Sequence, residues 1–224
     1  MSDRAARLDA SWTANAEAWT RAVREGAIPS RRAGTDAAAV EAVLRGLPPR
    51  GRVLDVGCGE GWLARALAKR GARVHGVDAS APLVEAARAA AGGPTYAALS
   101  YAEAVADPDR LGGPYDAAVF NFALLDDDVV GILRAAADRL GAGGRVVIQT
   151  VHPAAVEAPY RDGWREEAFG AFEGDFEPMP WYFRTFGSWV GALAEARLRL
   201  TEAAESVHPE TGVPLSLVLV AEAG

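Results

Sequence analysis

The sequence is poor in several residue types that characterise whole classes of protein. Its 224 residues include one cysteine, Cys58, so no disulfide can form within the chain and a reducing compartment is expected. Lysine also occurs once, at Lys69, and 30 acidic residues outnumber 23 basic ones, giving a net charge of −7. Because nucleic acids and anionic membranes are bound by clustered cations, neither is expected as a partner.

Long apolar runs are lacking as well. The run over 213–221 is interrupted by Pro214 and Ser216 and is too short to span a bilayer. The first residues lack the apolar core of a signal peptide. We therefore expect a soluble cytoplasmic protein, monomer or homodimer, whose length suits a single domain over 1–224.

What the sequence does contain is an alternation of strand and helix patterns. Apolar residues recur at helical spacing over 12–23 and 36–47, so residues 1–47 are predicted to form an N-terminal helical cap. Strand and helix patterns alternate over 50–151, which predicts a parallel sheet covered on both faces. A helix and two strands joined by a short turn follow over 188–224, and this hairpin requires an antiparallel strand.

Aromatic side chains are concentrated after the fifth strand. Ten of the 18 lie between Tyr160 and Trp189. We predict that residues 152–187 form an insertion that covers the substrate, because a closed apolar site excludes water and recognises a flat acceptor. The alternative is a satellite core beneath a long connection. An arginine among rings can pair with an anionic or heteroaromatic group, so the candidate substrate contacts are Trp19, Trp181, Tyr182, Phe183 and Arg184.

One glycine-rich turn carries the functional argument. The segment Asp55-Val-Gly-Cys-Gly-Glu-Gly61 lies where a predicted strand gives way to a helix. Gly57 and Gly59 have no side chain, so a ligand can lie on their backbone, facing the N–H groups that begin the helix. Asp78 ends the next strand, where a carboxylate can accept hydrogen bonds from ribose hydroxyls.

The charge of this turn indicates which nucleotide it binds. A dinucleotide would bring its pyrophosphate to the helix N-terminus, where Asp55 and Glu60 would repel it. A ligand with an ammonium and a sulfonium, such as S-adenosylmethionine, tolerates these acids. The glycines are also spaced G-x-G-x-G rather than G-x-G-x-x-G. An NAD(P)-dependent oxidoreductase is the weaker alternative, and a non-catalytic S-adenosylmethionine-binding protein is another.

Taken together, these segments resemble the class I S-adenosylmethionine-dependent methyltransferases of small molecules. The similar segments are Val53–Gly61, Val74–Ser80, Tyr115–Asn121 and Leu140–Ile148, which correspond to the first, second, fourth and fifth strands of that family. The resemblance implies a Rossmann-like, doubly wound α/β sheet of seven strands, mostly parallel with one antiparallel strand near the C-terminus. It implies methyl transfer to a small organic acceptor, which the aromatic insertion suggests is aromatic or heteroaromatic. O-, N- and C-methylation all remain open.

The resemblance also implies roles for single residues. The methionine end of the cofactor would lie against Asp55, Gly57, Cys58 and Gly59, the ribose against Asp78 and Ala79, and the flank of the cofactor against Asn121 and Phe122. Many members carry an acid followed by alanine after the third strand, to contact the adenine amine. Here Tyr101 stands in the acid's place, so adenine would be held by the Tyr101 ring and the Ala102 backbone, or by Glu103.

The segment before the sheet resembles the helix that many small-molecule members fold over the cofactor. Arg31, or with less support Arg32, could pair with the methionine carboxylate through its planar guanidinium. The alternative is an amphipathic surface helix with both arginines solvated.

His152 is the candidate catalytic residue and also a candidate substrate contact. It follows the fifth strand at the edge of the sheet where ligands bind in open α/β folds. In-line methyl transfer needs mainly positioning, plus a base where the acceptor must lose a proton, and His152 could be that base. A hydrogen-bonded loop histidine without a catalytic role is the alternative. Three consecutive acids, 126–128, more often serve a helix dipole than a metal ion, so no metal is expected.

Overall fold

The computed structural model describes residues 3–156, 159–169 and 175–224. Its helices are α1 (Asp3–Ala14), α2 (Ala16–Arg24), α3 (Asp36–Leu44), α4 (Trp62–Lys69), α5 (Ala81–Ala89), α6 (Tyr101–Ala106), α7 (Val130–Ala137) and α8 (Phe186–Glu195). Its strands are β1 (Arg52–Val56), β2 (Arg73–Asp78), β3 (Thr95–Ala98), β4 (Tyr115–Asn121), β5 (Leu140–Val151), β6 (Gly163–Glu167), β7 (Met179–Phe183), β8 (Leu198–Val207) and β9 (Pro214–Ala223). Within these ranges, none of the helices combines the length and apolar character needed to cross a bilayer.

Seven of the strands form one sheet in the order β3-β2-β1-β4-β5-β9-β8. The first five pair in parallel, and β9 runs antiparallel to both β5 and β8. The predicted Rossmann-like sheet with one antiparallel strand is confirmed. The strand order reverses between β1 and β4, and ligands bind at the carboxyl ends of strands at such a reversal.

The sheet is buried on both faces, which explains why its central strands are almost continuously apolar. Leu54 and Val56 of β1 lie in one large core cluster with side chains of α7 and α8, and Val53 lies in a second cluster with side chains of α3 and α4. All three are fully buried. The central strands are therefore rigidly held, and the loops at their carboxyl ends are positioned by them.

The predicted N-terminal cap contains two consecutive helices, α1 and α2, where the apolar spacing indicated one. They are separated at Asn15, whose side chain is buried and bonded to a distant backbone segment. Its amide donates to the carbonyl of Glu177 at 3.0 Å and accepts from the N–H of Glu177 at 2.7 Å. This tertiary pairing fixes Asn15, a residue with modest helix propensity, at the break.

The aromatic insertion contains an antiparallel hairpin, β6–β7, that the sequence did not predict. Its side chains, α1 and the loop after β4 share a small core of Leu8, Leu125, Phe169 and Met179, against which Trp12, Trp19 and Trp181 pack. The satellite core weighed as an alternative thus exists, and it joins the insertion to the cap. We call α1, α2, β6 and β7 the roof. Phe172, one of the ten clustered aromatics, lies outside the described residues.

Candidate active site

The turn after β1 is held against β2 by backbone hydrogen bonds. The N–H groups of Gly57 and Cys58 both donate to the carbonyl of Val77, at 2.8 and 3.0 Å. Gly57 and Gly59 have φ of +74° and +54°, which residues with a side chain rarely adopt. A Cβ at Gly57 would lie 2.5 Å from the Cβ of Ala123, whereas a Cβ at Gly59 would meet nothing within 4 Å. The backbone of Gly59 is thus open to a ligand.

Asp78 ties the end of β2 to this turn. Its Oδ2 accepts a hydrogen bond from the Gly59 N–H and its Oδ1 one from the Ser80 N–H, each at 2.8 Å. Burial raises the pKa of this carboxyl, and the two backbone donors oppose the rise. Each carboxylate oxygen keeps a second lone pair, so the group is placed to accept ribose hydroxyls. Ala79, next in the chain, is exposed.

Asp55 is an almost fully buried acid at the same edge of the sheet. The backbone of Ala64 donates to it, but its Oδ2 has no hydrogen-bond partner in the described part of the chain. Burial, and then the charge of Asp78, raises the pKa of Asp55 to about 7. Asn121 at the end of β4 likewise has a buried Oδ1 that lacks a partner among these residues. Two unsatisfied acceptors beside an open glycine backbone suit the amine and hydroxyl donors of S-adenosylmethionine.

Glu60 does not add to this acidity, contrary to the argument from the sequence. Its side chain is fully buried and forms ion pairs with Arg24 at 3.2 Å and Arg65 at 2.7 Å. Two guanidinium groups offset its charge on the side of α2 and α4. The acidic character of the turn therefore depends on Asp55 and Asp78.

Cys58 is buried, and its side chain fills the space beside Gly76. Burial, followed by the charge of Asp55, raises the pKa of its thiol well above the ordinary value. Since the thiolate is the nucleophilic form, this raised pKa disfavours a nucleophilic role, and the cofactor contact of Cys58 stays a prediction.

The loop after β4 makes a sharp turn beside Gly57. Phe122 has φ of +51°, an uncommon conformation for a residue with a side chain, and its N–H donates to the carbonyl of Gln149 at 2.7 Å. The hydroxyl of Tyr101 donates to the carbonyl of Ala123 at 3.2 Å. A strained backbone held in place by its neighbours is a frequent feature of functional sites.

Among the adenine candidates, Tyr101 alone reaches this cleft. Glu103 is bound instead to Ser100 in a capping box at the start of α6 and pairs with Arg110 at 3.1 Å. The side chain of Ala102 is exposed. The adenine roles of the Tyr101 ring and the Ala102 backbone stay predictions, and the Tyr101 hydroxyl lies beside Gly57.

Arg31 is engaged by protein groups rather than directed at the turn. It binds both carboxylate oxygens of Asp36, at 2.7 and 3.0 Å, and its guanidinium stacks on Trp62 at 4.2 Å from the ring centroid. Trp62 is the first residue of α4, so Arg31 lies next to the turn. Its role toward the methionine carboxylate stays a prediction, and Arg32 lines the same small surface cleft.

The roof meets the sheet at the loop after β4. The N–H of Tyr182 donates to the carbonyl of Leu125 at 2.8 Å, and the indole of Trp164 donates to Asp127 at 3.3 Å. Trp181 packs in the core shared by roof and loop, whereas Phe183 is buried and contacts Trp181 edge to face. Of the predicted substrate contacts, the structure thus brings Tyr182, Trp181 and Trp19 to the loop after β4, the strand next to β1.

His152 is turned toward the far edge of the sheet. Its Nε2 lies 2.8 Å from a carboxylate oxygen of Glu205 on β8, and its Nδ1 accepts the N–H of Ala154 at 3.0 Å. The hydrogen bond at Nδ1 places the ring proton on Nε2, so neither nitrogen has a free lone pair. β5, which His152 follows, lies two strands from β1, roughly 10 Å at the usual strand spacing, and β8 lies two strands further away. This geometry favours the hydrogen-bonded loop histidine, and the base role stays a prediction that the structure does not support.

Two acids that the sequence did not predict as site residues, Asp126 and Asp9, interact electrostatically at this edge of the sheet. Burial, and then a hydrogen bond with the Asp127 side chain, raises the pKa of Asp126 to about 6, the N–H of Asp127 opposes the rise, and the charge of Asp9 contributes to it. Asp9, on α1, also raises the pKa of Asp78. One residue of the roof therefore lies within electrostatic reach of both carboxyls. The helix-dipole interpretation of Asp126 fails, because α7 begins at Val130 and has no side-chain cap.

We predict that Gly59→Ala weakens S-adenosylmethionine binding by about tenfold or more, because its Cβ enters the open space and its φ of +54° strains an L-residue. Gly71→Ala is the matched control, since Gly71 also has positive φ, +94°, and open space around its Cβ but lies before β2, at the opposite edge. Isothermal titration calorimetry measures both variants. Unchanged affinity in Gly59→Ala would mean that the turn is merely structural.

We also predict that cofactor affinity rises with pH through neutrality, because Asp55 becomes charged as the pH passes its pKa of about 7. The effect on folding has the opposite sign. A carboxyl whose pKa is higher in the folded than in the unfolded state stabilises the folded protein. This stabilisation is complete at pH values below the unfolded-state pKa and is lost as the pH rises toward 7.

Calorimetry across this pH range checks the prediction. Because the ligand's own ammonium also titrates, the readout is the difference between the wild type and Asp55→Asn. The variant should show a flatter dependence of affinity on pH, and an unchanged dependence would contradict the role of Asp55.

Comparison with known proteins gives the family. A model described as a methyltransferase domain matches residues 31–189. The chain is 38% identical over 136 residues to ribosomal RNA small subunit methyltransferase C of Chromohalobacter salexigens, covering 57% of this chain and 38% of that protein. It is 37% identical over 107 residues to protein-L-isoaspartate O-methyltransferase of Methylorubrum populi, covering 48% of each. The chain thus spans less than half the length of these two relatives.

The fold is shared with solved structures. Magnesium protoporphyrin IX methyltransferase from Synechocystis PCC 6803, crystallised with S-adenosylmethionine, superposes with a TM-score of 0.69 at 18% identity, covering 100% of this chain and 98% of that one. The recognition and cofactor predictions are confirmed at the level of the family. The family match over 31–189, the strand order and the turn after β1 together show that the chain belongs to the methyltransferase-domain family, with the class I fold that uses S-adenosylmethionine.

Proposed function

We propose that this protein transfers the methyl group of S-adenosylmethionine to a small aromatic or heteroaromatic acceptor. The observation that carries the proposal is the hydrogen bond from the Tyr182 N–H to the Leu125 carbonyl, which holds an aromatic hairpin on the loop after β4. That loop borders the turn of Gly57 and Gly59. An apolar cover at this position supports a flat acceptor and excludes water.

The two curated relatives methylate ribosomal RNA and protein, by their names, so larger acceptors are the competing possibility. The charges near the roof count against RNA. Asp9, Asp126 and Asp127 lie at the edge that would meet the phosphate backbone, and the net charge of the chain is −7. The roof also covers the loop after β4, which narrows the access of a folded protein. Both features support a small molecule.

The other two alternatives are a nicotinamide-dependent oxidoreductase and a non-catalytic cofactor-binding protein. A pyrophosphate at the turn would face Asp55 and Asp78, two buried carboxyls with no described cation paired to them. This arrangement disfavours a dinucleotide. A non-catalytic protein has no need of an aromatic cover over the loop after β4, and turnover distinguishes it directly.

The chemistry is in-line displacement, for which S-adenosylmethionine supplies an electrophilic methyl group on a sulfonium. The residues of this chain bind and orient. Asp78 holds the ribose, Asp55 faces the ammonium end, Asn121 lines the flank and Tyr101 lies beside the adenine. The roof fixes the acceptor and keeps water out, so that most of the rate enhancement comes from positioning. Whether oxygen, nitrogen or carbon receives the methyl group is left open.

We also propose that the chain is a single domain with four parts. These are a cap over 1–47, a cofactor-binding core over 50–151, a covering insertion over 152–187, and a terminal helix with two strands over 188–224. We likewise keep a cytoplasmic monomer or homodimer as a prediction.

The direct test is turnover with S-adenosylmethionine labelled in its methyl group. We expect the label to appear in members of a panel of hydroxylated and nitrogen-containing aromatic metabolites, and not in total RNA or in protein from the same cells. The Gly59→Ala variant, in which cofactor binding is expected to be weakened, is the control for labelling that does not depend on the cofactor site. Labelling of RNA or protein alone would overturn the small-molecule proposal, and no labelling at all despite cofactor binding would favour the non-catalytic alternative.

For an acceptor that must lose a proton, we propose Asp126 rather than His152 as the base. Asp126→Asn is expected to lower kcat by about 10²-fold or more and to remove an ionisation near the Asp126 pKa of about 6. His152→Ala should leave kcat and its pH profile nearly unchanged, because His152 is committed to Glu205 and Ala154. Cofactor affinity should be retained in both variants.

Steady-state kinetics across the pH range decide between the two residues. Asp128→Asn is the matched control, since Asp128 is an exposed neighbour in the same acidic run. A large loss of kcat in His152→Ala, with Asp126→Asn fully active, would restore the assignment made from the sequence.

A further inference from the structure

Arg184 is a buried cation whose hydrogen-bond donors are not all used within the described part of the chain. It directly follows β7, and only 5% of its surface is exposed. Its Nη1 is buried and has no hydrogen-bond partner in the ranges 3–156, 159–169 and 175–224. A guanidinium that leaves water normally satisfies its N–H donors, because an unpaired buried donor costs free energy. Arg184 therefore calls for an acceptor that these residues do not supply.

The carboxylates around Arg184 do not fill this need. No ion pair between described residues includes Arg184. Asp162 and Asp127 lie within electrostatic reach, but their oxygens serve other donors. Asp162 accepts the N–H of Thr185 at 2.7 Å, and Asp127 accepts the indole N–H of Trp164 at 3.3 Å. Burial lowers the pKa of Arg184, and the charges of these acids oppose the fall without using its N–H groups.

Two protein rings already stack with the guanidinium. Its central carbon lies 4.9 Å from the ring centroid of Tyr182 and 5.2 Å from that of Trp189. Side chains of β7 and α8 thus already make cation–π contacts with this guanidinium. What the guanidinium still offers is its N–H donors, which bind a carboxylate with the added gain of opposite charge and a neutral heteroaromatic ring without that gain. Because no ion pair between described residues neutralises this buried cation, an anionic group is favoured over a neutral heteroaromatic ring.

The position of Arg184 places this donor on the acceptor side of the cleft. The strand that precedes it is bonded to the loop after β4 through Tyr182 and Leu125, and the charges of Asp126 and Asp127 on that loop reach its guanidinium. We propose that Arg184 binds an anionic group of the methyl acceptor, and that the acceptors of this protein are aromatic carboxylic acids. This inference rests on the proposed function, which it narrows to one substrate class.

The test compares aromatic acids with their amides. A panel of hydroxybenzoates, each paired with the corresponding hydroxybenzamide, is titrated into the protein saturated with S-adenosylhomocysteine. For at least one pair, the wild type should bind the acid about tenfold or more tightly than the amide. Arg184→Met should abolish this preference by weakening acid binding. Arg184→Lys, which keeps the charge but not the planar pair of donors, should retain part of it.

Arg165→Met is the matched control. Arg165 lies on the partner strand of the same hairpin, with its guanidinium 5.4 Å from the Phe183 ring. Its Nη2 is satisfied by the carbonyls of Pro159 and Arg161, at 3.0 and 3.1 Å. We expect this variant to keep the preference for the acid, because both terminal nitrogens of Arg165 already donate to backbone carbonyls.

The outcomes separate this inference from the proposed function. Equal binding of acid and amide across the wild-type panel, absence of any binding by the acids, or an undiminished preference in a folded Arg184→Met would overturn the inference. If Arg184→Met does not fold, an undiminished preference in Arg184→Lys has the same consequence. Methyl transfer to a neutral aromatic, with the acids inert, would overturn the inference and leave the proposed function standing. Failure to bind S-adenosylhomocysteine at all would instead overturn the proposed function.

Discussion

The hydrogen bond between the Asp78 carboxylate and the Gly59 N–H is the contact on which the site depends. It joins the end of β2 to the turn after β1, and the second oxygen of Asp78 secures the start of α5 through Ser80. One side chain thus sets the relative position of two strands, a turn and a helix. The carboxylate is already oriented before a ligand arrives, so a ribose gains two acceptors without the cost of ordering them.

Charge is distributed unevenly around this contact. The cofactor side contains Asp55 and Asp78, both with pKa values raised by burial, whereas the acid in the middle of the turn, Glu60, is neutralised by Arg24 and Arg65. On the proposed acceptor side, Arg184 is a buried cation. A cationic cofactor and an anionic acceptor would each bind beside groups of opposite charge. Binding of either ligand in the other's position would be disfavoured by like charges. Such an arrangement contributes to orientation as well as to affinity.

Local sequence signals predicted the sheet and the turn, because both are determined by short-range patterns. Spaced glycines, a buried apolar strand and an acid at the next strand end are contiguous features. The failures concern contacts between distant residues. Glu205, which binds His152, lies 53 residues further along the chain, and Arg24, which binds Glu60, lies 36 residues earlier. The hairpin of the roof was missed because Pro178 and Pro180 obscure any alternation in β7. No local pattern reveals which partner a buried polar side chain will meet.

The placement of charge also follows from the reaction itself. A sulfonium loses its positive charge as the methyl group leaves, so a carboxylate close to the sulfur would stabilise the ground state more than the transition state and slow the transfer. Acids serve best at the ends of the cofactor that stay charged or polar throughout, the ammonium and the ribose. Of the proposed cofactor contacts, the two acids are on β1 and β2, and β4 ends in the neutral Asn121. An anionic acceptor bound by Arg184 would follow the same rule, because its charge would be balanced by a group of the protein and not by the sulfonium that reacts.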